Sequence, residues 1–278
     1  PMMSRIRFSL RAASGIVLIS AAMVAFSSTS THALDVWDLR TDFSLTGSPA
    51  GESDGIGPDG AWSYHIDTGS SEVLFDANGD NKFSGGDQTA PDQSWMSTLS
   101  GATNNNLFVA KADIDGSQIA AGEPAATNFD VLAGEILMQS FRTAGNPDPP
   151  DYNLIIRWTA PRDTTVDVDG IVWGAHTGQA SRTTRVDITH TDSSGTPTDG
   201  NVGNVFDSGN YSGAAFRAAG KTFGGFTDLT NHPSAAASSP IQLSVSAGDR
   251  LDLKNYVIGA DGTISGVELT ISEVPEPT

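Results

Sequence analysis

Residues 152–173 read YNLIIRWTAPRDTTVDVDGIVW, and one pattern runs through both halves. Leu154, Ile156 and Trp158 share one parity; beyond Ala160-Pro161-Arg162-Asp163, Val166 and Val168 alternate with Asp167 and Asp169. Successive side chains of a strand point to opposite faces, so apolar residues at every second place mark a half-buried strand. Pro161 cannot donate to a ladder and Asp163 favours a turn, which gives the break between the two runs a backbone cause. The stretch predicts a β-hairpin-like pair. Such a pair buries too little surface to stand alone in water, so a second sheet must cover its apolar face.

Similar runs lie on either side. AWSYHI (61–66) sets Trp62, Tyr64 and Ile66 against Ser63 and His65, and SEVLF (71–75), 107–111, 129–132 and 135–141 continue the series. VWDLRTDF (36–43) predicts an edge strand. Downstream come RTTRVDITH (182–190), NVF (204–206), IQLSVSA (241–247), RLDLKNYVI (250–258) and TISGVELTIS (263–272), with Ala247-Gly248-Asp249 as a tight turn between two of them. A helical period is absent beyond residue 33, and no internal repeat is visible.

Composition agrees with this reading. The chain of 278 residues has no cysteine, so no disulfide framework can hold it, and stability must come from a core. Its 30 glycines and 14 prolines suit short strands joined by many turns, the make-up of a sandwich or barrel. No shift in composition divides 34–273, which predicts one domain. The net charge of −18 would repel a phosphate backbone, which excludes nucleic acid as a partner.

The segment before that domain reads as an export signal covering 1–33. Arg5, Arg7 and Arg11 precede the apolar run AASGIVLISAAMVAF (12–26), and a polar stretch closes on Thr31-His32-Ala33, predicting cleavage after Ala33. The apolar run is about 15 residues, short of the roughly 20 that a spanning helix needs. The leader holds three of the 15 basic residues and none of the 33 acidic ones, so the remainder is more acidic still.

The sharpest chemical signal is DANGDNKFSGGD (76–87). Side-chain oxygens of Asp76, Asn78, Asp80, Ser84 and Asp87 fall at the first, third, fifth, ninth and twelfth places, with the carbonyl of Lys82 at the seventh. That set suits Ca²⁺, which takes six to eight oxygens. The run resembles the calcium loop of dockerins and EF-hands, with Phe83 at the apolar eighth place. It departs from them where Asn81 replaces the turn glycine and Asp87 the bidentate Glu, and its flanks do not read as paired helices. The other reading is a solvated Asp/Asn/Gly turn.

Glycan binding calls for exposed aromatic rings beside hydroxyl-binding polar groups. Trp95, Trp173 and Tyr211 stand next to predicted loops and are the candidates, whereas Trp158 inside IIRWT belongs to the core. Packing is the competing role for each. His65, His176, His190 and His232 show no metal-binding spacing, no G-x-S-x-G elbow is present, and a thiol nucleophile is excluded. Paired carboxylates could serve glycoside hydrolysis, but 33 acidic residues offer too many pairs to choose one.

The terminal Val274-Pro275-Glu276-Pro277-Thr278 resembles the opening of the PEP-CTERM sorting tag of Gram-negative bacteria. In that family the Pro-Glu-Pro triplet is followed by a spanning helix and an arginine cluster, and an exosortase-type enzyme processes the tail. The resemblance implies that 274–278 begin a truncated tail whose missing anchor would be the only membrane contact. DFSLTGSP (42–49), GAWSYH (60–65), IIRWTAP (155–161), SAGDRLDL (246–253) and GVELTIS (266–272) also resemble the bodies of such exported proteins. Those bodies are regarded as β-jelly rolls similar in outline to carbohydrate-binding modules. The expectation is therefore an all-β, jelly-roll-like antiparallel β-sandwich, exported to the cell surface or extracellular matrix. Its expected role is non-catalytic: binding polysaccharide or matrix glycans and stabilised by Ca²⁺. The alternatives are a secreted carbohydrate-active hydrolase and a purely structural matrix protein.

Overall fold

A computed structural model describes residues 34–43, 61–75, 77–81, 92–96, 107–112, 130–132, 134–142, 151–176, 182–198, 204–212, 220–224, 241–258 and 264–275. The expectations for 1–33 and 276–278 lie outside these residues. In chain order the elements are β1 (Val36–Asp38), α1 (Leu39–Asp42), β2 (Trp62–Asp67), β3 (Glu72–Leu74), β4 (Ala77–Asn81), β5 (Asp92–Met96), β6 (Phe108–Lys111), β7 (Ile136–Gln139) and β8 (Phe141–Arg142). Then follow β9 (Asp151–Thr159), β10 (Thr164–Gly174), β11 (Thr183–Thr191), β12 (Asn204–Asp207), β13 (Tyr211–Ser212), β14 (Lys221–Phe223), β15 (Ile241–Val245), β16 (Arg250–Ile258) and β17 (Ile264–Glu273).

The strands form two antiparallel sheets. Sheet I runs β14-β10-β17-β7-β6-β5-β4, with β1 also on β17 and β15 on β10; sheet II runs β12-β11-β16-β9-β2-β3, with β13 on β11 and β8 on β9. From β7 onward the long strands alternate between sheets: β7 in I, β9 in II, β10 in I, β11 in II. The chain then returns through β16, between β9 and β11, and β17, between β7 and β10. This interleaving is the jelly roll, two Greek keys wrapped around one interior. The β2–β3 hairpin and the β4–β7 meander widen both sheets.

The sandwich confirms that the two halves of the opening stretch are strands, but not that they pair. Both flanks of β9 are occupied, by β16 and β2, and those of β10 by β17 and by β14 and β15. Ala160–Asp163 is therefore a corner from sheet II to sheet I. Leu154, Ile156 and Trp158 on one side and Val166 and Val168 on the other all join the buried core between the sheets. The turn after β15 is a second corner, tied to the first. Ala160 N–H donates to Asp249 O, Gly248 N–H to Ala160 O and Ala247 N–H to Asp163 Oδ1, each at 2.8 Å. Gly248 sits at φ 88°, where a side chain would be strained.

Three further expectations are corrected. VWDLRTDF is not one strand: β1 stops at Asp38, whose Oδ1 accepts Arg40 N–H at 2.9 Å and Thr41 N–H at 3.1 Å, and this cap starts α1. Residues 130–132 are irregular rather than extended. Residues 77–81, read as part of a loop, are the strand β4, and they pair with β5 at 92–96, where no strand was expected.

The interior is dense in large rings. Trp37 and Trp158 meet edge to face with centroids 5.1 Å apart, and Trp62 is likewise fully buried. A second apolar cluster covers the outer face of sheet I at one end: Phe108, Ala110, Leu137, Ile171, Trp173 and Ile264. Trp173 packs against Gly266, where an added Cβ would stand 2.1 Å from the indole.

Candidate functional site

The structure places the three aromatic candidates for glycan binding inside the protein. Trp95 is 2% exposed and stacks on Tyr64 at 6.5 Å in the core. Trp173 is fully buried in the outer cluster of sheet I, and its Nε1 donates to Asp130 O at 2.8 Å. Tyr211 is 6% exposed, its hydroxyl donates to Ser265 Oγ at 3.1 Å, and burial pushes its phenol well above the usual range. None can offer a ring face to a sugar. The cause is local: β5 and β13 carry Trp95 and Tyr211 into the core between the sheets, and Trp173 is covered within the outer cluster of sheet I, while the sequence shows only that turn-rich segments are near.

The candidate calcium run is only partly described. Ala77–Asn81 is extended and pairs with β5, Asn78 opposite Trp95 and Asp80 opposite Gln93. Asp76, Lys82, Ser84 and Asp87 lie outside the described residues, as do the side chains of Asn78 and Asp80. Among the described residues, no group of three or more His, Asp or Glu is placed to hold a metal.

The outer face of sheet II carries a charged grid that the sequence reading missed. Alternation on β2, β9, β16 and β11 sends Ser63, His65 and Asp67, then Arg157, then Asp252, Lys254 and Tyr256, then Arg185 and Asp187 to one side, and the register sets them in rows. Arg157 is at the centre, 7% exposed. Its Nε and Nη2 donate to the Asp252 carboxylate, both at 2.7 Å, and Nη1 and Nη2 donate to Glu72 at 2.7 and 2.8 Å. A planar guanidinium gripped on two edges by carboxylates is a strong charge-assisted arrangement. Burial works against the Arg157 charge, but Asp252 and Glu72 outweigh it and hold the group protonated.

The other members of the grid are also engaged. His65 Nδ1 is 2.9 Å from Glu72 Oε1, and its Nε2 is 2.8 Å from Ser63 Oγ. The hydrogen bond from His65, with Arg157 behind it, holds the Glu72 carboxyl down at about 2. Lys254 pairs with Asp67 and stands 4.8 Å above the Tyr256 ring, with Arg185 at 5.6 Å. Arg185 in turn bridges Asp187 and Asp207, which face each other in register.

Two further polar groups lie toward the corners. His190, 6% exposed, has Nδ1 2.9 Å from Thr198 Oγ1 and Nε2 3.3 Å from Asp249 Oδ2. A hydroxyl, an imidazole and a carboxylate in line resemble a nucleophile relay, but Asp249 Oδ2 also caps Ser246 N–H at 3.0 Å and Thr198 N–H bonds His190 O. The chain of bonds fastens the 192–198 loop to the Ala247-Gly248-Asp249 corner. At the other group, Arg162 donates to Glu273 Oε1 at 3.0 Å and to Asp35, while Glu273 N–H bonds Asp35 O at 3.0 Å. Arg162, read from sequence as a turn residue, is thus the clasp between the first and last strands of the sandwich.

No protein-family model matches the chain, and no curated protein matches it either.

Proposed function

We propose that this is an exported, non-catalytic β-sandwich protein of the cell surface or extracellular matrix that binds glycans. The observation that supports it best is the Asp35–Arg162–Glu273 clasp, which brings the first and last described strands together at one end of the sandwich. A tail continuing from Glu273 would tether the protein at that end and leave the outer face of sheet II and the rest of sheet I free. The sorting-tag resemblance of 274–278 supplies such a tail, with an exosortase-type enzyme as its processing partner; Ca²⁺ at 76–87 would be an added stabiliser. Fractionation of a Gram-negative host making the full chain tests the reading. The expected product lies outside the cytoplasm with Leu34 at its N-terminus, and it retains polysaccharides on a glycan array without releasing reducing ends. Cytoplasmic retention, or an array blank for every glycan, would overturn it.

One observation favours a hydrolase as a second reading. Asp187 and Asp207 are cross-strand neighbours with environments of opposite sign. Burial pushes the Asp187 carboxyl up despite Arg185, while the Gly209 N–H holds Asp207 down. Carboxyls driven apart in this way are what acid–base pairs require. Reducing-end release that Asp187→Asn abolishes would favour that reading over the first.

A further inference from the structure

The outer face of sheet I closes at the clasp end in a cleft of about 400 Å³, where β10, β15 and the exit from β17 meet. Its walls include Asp163, Thr165, Gln242, Val245, Val274 and Pro275. The backbone there is fixed: Thr165 pairs with Ser244, Asp167 with Gln242, and Val274 N–H donates to Thr165 O at 2.9 Å. Polar groups in the cleft are only partly used. Asp163 spends Oδ1 on Ala247 N–H, and Gln242 spends Nε2 on Asp167 at 3.1 Å. Asp163 Oδ2, Gln242 Oε1 and the Thr165 hydroxyl receive no hydrogen bond from another described residue. This sets the cleft apart from the grid on sheet II, where the cations and carboxylates are matched to each other.

We propose that this cleft binds a neutral pyranose unit of a glycan, an inference that rests on the glycan-binding reading above and gives it a place. Two acceptors and a hydroxyl beside the aliphatic surface of Val274 and Pro275 match a ring that presents hydroxyl donors at its rim and C–H groups on its face. The volume lies in the range of roughly 300–1,000 Å³ common to small-molecule sites. Asp163 and the net charge of −18 disfavour an anionic sugar. A bare cation would find one carboxylate, too few oxygens to replace its water.

The test is a titration of the full chain with cellobiose, maltose and N,N′-diacetylchitobiose as separate probes, followed by amide NMR shifts. Saturable shifts are expected at 163–165 and 242–245 with at least one probe. Thr165→Val and Gln242→Leu, both at solvent-accessible positions, should weaken that binding about tenfold, the loss of one or two hydrogen bonds, with Tm unchanged. Absence of shifts with all three probes, shifts confined to other strands, or variants that bind like the parent would overturn the proposal. If array glycans are still retained in those cases, the glycan reading stands and only the cleft is wrong; if nothing is retained, both fail.

Discussion

The outer faces of the two sheets solve one problem in opposite ways. On sheet II the face is covered by charges that neutralise one another: Arg157 between Glu72 and Asp252, Lys254 on Asp67, Arg185 on Asp187 and Asp207. On sheet I one end is apolar, Trp173 lying on Gly266 among Phe108, Leu137 and Ile264, and the other end is acidic and hydroxylic. There Asp169 feels burial and the charges of Asp167 and Asp38, and its carboxyl is pushed up. A face whose charges are paired has little left with which to bind. A face that keeps unspent acceptors does, so binding is expected on sheet I although the eye is drawn to the charges of sheet II.

Three measurements can break or sharpen this contrast. The largest effect is expected from Trp173→Ala, which empties a fully buried indole site and should cost about 4 kcal/mol in urea unfolding. Gly266→Ala, whose methyl would collide with that indole, should be destabilising alone yet nearly neutral in the Trp173→Ala background; additive effects would mean that the two do not share space. Next, Arg157→Met should cost about 3 kcal/mol because it strands the Glu72 and Asp252 carboxylates. Replacing Glu72 and Asp252 by leucine as well should recover most of that loss. If it does not, the grid stabilises the sheet in its own right and is more than a neutralised surface.

The smallest effect is the response to acid. The hydrogen bond from His65 and the charge of Arg157 hold the Glu72 carboxyl down at about 2 against an ordinary 4.5, so the folded state favours its charged form. Its contribution is fully present above about pH 4.5 and is lost as pH falls toward about 2. Asp169 has the opposite sign: the fold favours its protonated form, so acid relieves a penalty on sheet I. Urea midpoints across this window should fall less steeply in Glu72→Gln than in the parent, and identical slopes would remove Glu72 from the account.

Strand positions were legible because they rest on local alternation, which β9, β10, β11, β16 and β17 display plainly. What alternation does not encode is which sheet a strand joins. Ala160-Pro161-Arg162-Asp163 is as short as a hairpin loop, and the same parity serves a pair side by side or two strands facing across a core; only occupancy of both flanks of β9 decides. β4 and β5 were hidden because ANGDN and DQSWM are poor in β-branched residues and lack a run of alternating apolar positions, although each pairs with the next strand of the meander. The charged grid escaped for a related reason. Glu72, Arg157 and Asp252 are each an unremarkable polar residue on the wet side of a strand, and they meet only through register. The cleft likewise joins Asp163 and Gln242 to Val274, segments that the sequence keeps apart.

β16 and β17 stand last in the chain, yet each is an inner strand of its sheet. Neither layer can acquire its middle until every other strand of the sandwich has been made, and pairings of such long sequence separation form slowly. A polypeptide that cannot close early keeps its apolar strand faces open to solvent for longer. The order in which the strands are written thus acts as a timer on closure, holding both layers open until the last two strands are in place.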